Sequence, residues 1–339
     1  MKGSNMSRVL SCLFVYLLTL SSFTCGDTHQ EVQAVDEDGY GIHPDLLTNN
    51  KVTVEGIVLN RPDFMLDSTP DEYSDELGGE WQIYIQGEGD DHAGTAVWMG
   101  QCYDNIWGGD GTYTNPNWTS ELYRLSYDPC TAYEISPGDR VRVTGLLKFY
   151  TGKTNINERH STNPDNDLTI ELIELGVGLP QPEVITLDEV KDGNDNFIFD
   201  ASRLTGCEYY QARLVRINNV NFVDNDPNWG PDNYATIQDA TGLTLPVYYG
   251  RGPGFSKPYN LSFQFDVIGI FDQESSDMLV CKDGYRVWVL NYDGNGKILT
   301  DFGFPKNRLP GDINMDGKVD FYDLAEFGAH WLEVHPEGS

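Results

Sequence analysis

The sequence predicts a mainly β protein built from two successive five-stranded barrels, followed by a small C-terminal loop–helix unit. Three observations predict it. Between residues 47 and 300 the chain reads as short alternating strands separated by turns, with almost no helical periodicity. The strand plan of residues 47–176 recurs over residues 191–300. Residues 311–334 then change character, to a loop dense in oxygen-bearing side chains and a helix-spaced apolar set.

In chain order, Lys2 and Arg8 precede an apolar run from Val9 to Leu20 and then small and polar residues, the pattern of a secretory signal peptide over residues 1–26. The run is too short to span a bilayer, and no later segment is apolar enough to do so. Cys25 would permit a lipid anchor, although Ser22-Phe23-Thr24 makes a poor lipobox. The expected location is secreted or extracellular, with cell-surface association open. Loss of Lys2 and Arg8 with the leader takes the net charge from −31 to about −33. That field opposes phosphate backbones and anionic lipid, and suits cations and neutral glycans. Residues 27–46 are acidic and lack pattern, which predicts disorder.

In the first barrel, Lys51 to Asn60 places Val52, Val54, Gly56 and Val58 on one face. Glu80 to Gln86 and Thr95 to Met99 follow across an acidic turn, then Arg140 to Tyr150, with Leu168 to Leu175 as the fifth strand. Residues 177–190 read as a linker containing proline. In the second barrel, Gln211 to Asp224 is the long first strand, Tyr234 to Asp239 and Leu243 to Tyr248 form a hairpin, and Ser262 to Asp272 and Tyr285 to Leu290 complete the set. Gly145 and Gly269 occupy equivalent places in the fourth strands, where a glycine marks a bend or a close backbone approach. Residues 301–310 read as a second linker.

A long bent first strand and a glycine-kinked fourth suggest an OB-fold in each half, with a β-sandwich as the competing architecture. Both halves resemble the tandem OB-like domains that accompany nuclease domains in secreted bacterial proteins, on Val52 to Val58, Trp81 to Gly87, Gly138 to Leu146, Tyr210 to Val223 and Ala235 to Gly242. The separate metal-dependent nuclease domain of those proteins has no counterpart here.

Residues 312–323 form a twelve-residue calcium loop. Side-chain oxygens stand at positions one, three, five, nine and twelve (Asp312, Asn314, Asp316, Asp320, Asp323), Lys318 offers its carbonyl at position seven, and Gly317 supplies the sharp turn at position six. Calcium needs six to eight hard oxygens converging on one point, and this spacing supplies them. Pro305, Pro310 and Gly311 forbid an entering helix, whereas Leu324, Phe327, Gly328 and Trp331 recur at helical spacing after the loop. A loop–helix unit without its entering helix, with Asp323 at position twelve, resembles one repeat of a type I dockerin over residues 311–332. The resemblance implies calcium binding and a cohesin-like or surface-anchoring partner. It also implies a paired repeat; one is found, with Phe321 and Tyr322 at the partner-selecting positions.

Beyond the leader, the cysteines are Cys102, Cys130, Cys207 and Cys281. An even number in an exported chain points to disulfides, with three connectivities open. Pairing Cys102 with Cys130 and Cys207 with Cys281 keeps each bond within one barrel. Trp107, Tyr113 and Trp118 lie in an aromatic-rich insertion that could stack on sugar faces or bases, or form the insertion's own core. Asp90-Asp91-His92 could hold a metal or be a solvated turn, and Arg140, Arg142 and Lys148 are the cations that would favour nucleic acid. No nucleophile elbow, P-loop or zinc-spaced histidine pair occurs, and Gly250-Arg251-Gly252-Pro253-Gly254 lacks the strand–helix context of a phosphate cradle. With no catalytic constellation recognised, the chain reads as a non-catalytic accessory of extracellular polysaccharide breakdown, held in an assembly through calcium. The alternatives are a nucleic-acid-binding accessory and an unrecognised glycoside hydrolase.

Overall fold

The computed structural model describes residues 26–62, 80–100, 113–223, 234–248 and 264–289. The calcium loop, its helix, Trp107, Cys102 and the leader lie outside the described residues.

Order begins earlier than composition suggests. Helix α1 (His29–Val32) is only one turn, yet it is closed by a capping box: Glu31 N donates to the Thr28 hydroxyl, and Thr28 N donates to the Glu31 carboxylate. Asp36 then accepts from the backbone N–H groups of Asp38 and Tyr40, tightening a turn bridged by Val35 and Gly41. Val32 is buried in the core of the first barrel. The expectation of disorder over residues 27–46 is therefore corrected. Several carboxylates counted there as solvated charges are acceptors that satisfy the segment's own backbone.

Strands β1 (Lys51–Val58), β2 (Glu80–Gln86) and β3 (Gly94–Gly100) form an antiparallel meander. Helix α2 (Asn115–Ser126), capped by Thr114 and with Pro116 in its first turn, leads on to β4 (Arg140–Tyr150) and β5 (Lys153–Asn157). Strand β5 runs parallel to β3 and antiparallel to β4, and β4 returns to β1, so the five strands close a barrel in the order β1-β2-β3-β5-β4. The strand read from Leu168 to Leu175 exists as β6 (Thr169–Glu174), but it lies outside that closure, on the first half of β4. The closing strand is Lys-Thr-Asn-Ile-Asn at 153–157, whose polar composition hid it; every one of its residues is buried. Gly145 allows the close approach expected of it, since a Cβ there would sit 2.6 Å from Ile156 Cγ2 and 2.8 Å from Leu168 Cβ.

The segment read as a linker belongs to the second unit. It contains β7 (Glu183–Ile185) and α3 (Leu187–Val190), and it repeats the leading device of the first unit. Thr186 and Glu189 make the capping box, and Asp192 accepts from Asn194 and Asn196, just as Asp36 accepts from Asp38 and Tyr40. Helix α4 (Gly206–Tyr209) and strands β8 (Leu214–Phe222), β9 (Tyr234–Gln238), β10 (Thr244–Tyr248), β11 (Phe265–Gln273) and β12 (Tyr285–Val289) follow. The five strands β8 to β12 pair as β1 to β5 do, with β10 and β12 parallel and β11 also paired to β8. The sixth strand differs: β7 lies parallel on β8, whereas β6 lies antiparallel on β4. At Gly269 a Cβ would stand 2.1 Å from the Trp288 carbonyl oxygen, so no other residue fits there.

The two units are packed rather than tethered. Leu59, Tyr84 and Ala96 of the first share an apolar cluster with Ala212, Leu214, Ile270 and Trp288 of the second. Backbone joins them too: Gly94 N donates to the Gln211 carbonyl (3.1 Å) and Ser275 N to the Thr151 carbonyl (2.7 Å).

Cys207 and Cys281 are not bonded to each other, contrary to the pairing drawn from cysteine number, and Cys130 is an exposed free thiol. The Cys207 thiol packs in the second core and donates to the Val190 carbonyl (3.2 Å), whereas Cys281 lies in a loop against the Asp38 turn of the first unit, its N–H donating to the Asp38 carbonyl. Burial pushes both thiols up from their ordinary pKa, so neither is a ready thiolate.

Candidate functional site

A candidate surface lies on the second unit and is set by strand register. Tyr234 and Tyr248 are cross-strand partners in the β9–β10 hairpin, and Tyr248 pairs in the parallel register with Trp288 of β12. Three rings thus stand in a row across three strands. Tyr234 and Tyr248 are stacked with centroids 5.3 Å apart, and Tyr248 and Trp288 are 5.6 Å apart and tilted. Arg286, two residues before Trp288 and so on its face, lays its guanidinium 4.6 Å over Tyr248 and 5.0 Å over Trp288. Tyr234 is 39% exposed at the outer end of the row, and Tyr248 is half-buried beside it.

This row is anchored from below by charge. Asp272, fully buried on β11, accepts from Trp288 Nε1 (2.9 Å) and Arg286 Nε (3.1 Å), and Arg286 also pairs with Glu274. The first unit supplies the third donor: Lys153 Nζ reaches both oxygens of Asp272, at 2.8 and 2.9 Å. Burial would raise the Asp272 carboxyl, but Lys153 and Arg286 outweigh it and hold the group at about 2. Arg286 is likewise kept charged: burial opposes it, and Asp272 and Glu274 prevail. Trp288 and Arg286 are buried behind the tyrosines, so Tyr234 and the open part of Tyr248 are what a sugar ring or a base could meet, on a backing fixed by Asp272.

The residues proposed from sequence for stacking fare differently. Trp118 is fully buried on α2 and Tyr113 nearly so, both within the first core and with ring centroids 6.0 Å apart. They fill the barrel rather than face a ligand, because a twelve-residue helix packed on a barrel must bury one of its faces. Asp91 accepts from the backbone of His29 and Gln30 and so caps α1. His92 stacks on Tyr209 (3.9 Å) and meets Glu183 (2.9 Å), which also takes Arg213 (3.2 Å); these side chains tie the units together. Arg140 is paired with Glu88 and Glu174, and Arg142 with Glu55 and Glu171, so neither is an open cation for phosphate.

One oxygen cluster among the described residues has metal-like spacing. Glu121 of α2, Glu158 after β5 and Asp167 before β6 each place one carboxylate oxygen within 4.8 Å of the others. Arg124 already bridges two of them, at 2.6 Å from Glu121 and 2.6 Å from Glu158.

The row Tyr234–Tyr248–Trp288 escaped sequence reading. The hairpin pairing of the two tyrosines was available from the turn at Ala240-Thr241-Gly242, but the parallel partner of Tyr248 was not. Against known proteins, no family model matches the chain, and a search of curated proteins finds no match.

Proposed function

We propose that the chain is an exported, non-catalytic accessory protein whose two OB-type barrels present a ring-stacking surface to polysaccharide, while the dockerin-like repeat binds calcium and holds the protein in an extracellular assembly. The observation that carries the glycan reading is the exposed ring of Tyr234 stacked on the half-buried Tyr248, which the buried Trp288 and Arg286 hold in place. Stacked rings bind the apolar faces of sugars without needing charge, which suits a chain of net charge −31. Support for the OB assignment comes from the strand order of the first barrel, with a helix between its third and fourth strands and a parallel third–fifth pair, and from its repetition in the second sheet. Calcium binding rests on Asp312, Asn314, Asp316, Lys318, Asp320 and Asp323, and a cohesin-like partner on the resemblance of that repeat.

The test is co-sedimentation of the mature full-length chain with insoluble cellulose and xylan, beside single-stranded DNA beads. Retention on a glycan that falls at least tenfold in Tyr234→Ala and Tyr248→Ala supports the reading. Retention only on DNA, abolished by moderate salt, overturns it in favour of nucleic acid. Retention on neither overturns it as well. Trp118→Ala is unsuitable as a binding variant, because it empties the first core at a cost of about 3–5 kcal/mol.

A further inference from the structure

The cluster of Glu121, Glu158 and Asp167 is short of positive charge. Three carboxylates converge there, against one guanidinium from Arg124 and the ammonium of Lys51, which donates to the Asp167 carbonyl at 2.9 Å. Arg124 spends its bonds on Glu121 Oε2, Glu158 Oε1 and the Leu168 carbonyl, and stands no closer than 3.9 Å to the Asp167 carboxylate.

Glu158 is the telling member. It is 2% exposed, and its Oε1 takes both Arg124 and the Leu168 N–H, but its Oε2 is buried with no hydrogen-bond partner. A buried carboxylate oxygen without a donor has lost its water with nothing in exchange. Glu121 and Asp167 are partly open to solvent, at 20% and 26% side-chain exposure, so an ion can reach the buried oxygen while keeping some of its water.

We infer that Glu121, Glu158 and Asp167 form a second divalent-cation site, for calcium, which pins α2 to the segment joining β5 and β6. The ligands are all carboxylate oxygens with no imidazole or thiolate among them, which selects a hard ion over zinc. Calcium also tolerates the irregular geometry of a site shared with an arginine, whereas magnesium demands near-ideal octahedral placement. The site is independent of residues 312–323 and of the aromatic row, so its failure would leave the glycan reading standing.

Hydrogen exchange of the full-length protein, with calcium chloride against chelator, tests it peptide by peptide. At calcium tenfold above its dissociation constant, exchange through local opening of peptides spanning 115–126 and 155–169 slows about tenfold. The slowing disappears in Glu158→Gln and in Asp167→Asn, the second variant guarding against misfolding of the first, while peptides over 311–332 keep their own response. Calcium protection confined to 311–332 overturns the inference, as does protection at 115–126 that survives in both variants, or an equal effect of magnesium at the same concentration.

Discussion

Replacing Asp272 by asparagine tests the seam between the units most directly. The wild-type carboxylate is fully buried and takes four hydrogen bonds: two from Lys153, one from Arg286 and one from Trp288. Asparagine keeps the volume but removes the charge, leaving Lys153 without its carboxylate and Arg286 with Glu274 alone. Breaking a buried ion pair from one side costs about 3–5 kcal/mol. A second route gives a lower bound. A carboxyl held at about 2 against an ordinary 3.8 favours the ionised form by about 2 kcal/mol, and protonation still leaves most of the contacts in place. Lys153→Met is milder, because Asp272 keeps Arg286 and Trp288, and we expect about 1–3 kcal/mol. The assay is the urea unfolding midpoint of the two variants against wild type, read with the m-value. A loss below about 1 kcal/mol in Asp272→Asn would refute a buried pair and class it with surface ion pairs. A greater loss in Lys153→Met than in Asp272→Asn would refute the stated hierarchy. Since the folded pKa lies below the unfolded one, this contribution is present above about pH 4 and drains away as pH falls toward 2.

Two further outcomes follow from buried groups. His29 donates from Nε2 to the Glu55 carbonyl and accepts at Nδ1 from the Thr95 hydroxyl, and burial lowers its pKa below 6.5 despite Asp91. Its stabilising contribution is therefore complete above pH 6.5 and declines as pH falls below it, so amide protection of residues 28–42 should drop between pH 7 and 5; unchanged protection would count against the neutral, buried histidine. Cys207 and Cys281 are free thiols, so alkylation in denaturant without reductant should label both, and recovery of a 207–281 disulfide peptide would contradict the structure.

What could be read from the chain itself was whatever depends on neighbours in sequence. Val52, Val54 and Val58 announce β1 because one face of that strand is apolar, and Gly145 and Gly269 mark close approaches because no Cβ fits there. The repeat of two β units was legible for the same reason. The closing strand at 153–157 was not. Its polar residues are buried because partners elsewhere accept them: Thr154 N donates to Gln33 from the leading segment, and Lys153 reaches Asp272 across 119 residues of chain. Nothing near Lys153 in sequence records either contact. Residues 27–46 looked solvated because their acids were counted as charges, whereas Asp36 and Glu31 are hydrogen-bond acceptors for their own turns. The chain alone determined that there would be two β units and which strand faces are apolar. Tertiary structure alone decided which polar groups go inside, since a buried charge is tolerated only where its counter-charge arrives in space. It also decided where the rings line up, since Trp288 joins Tyr234 and Tyr248 through a parallel pairing between strands that are not consecutive in the chain.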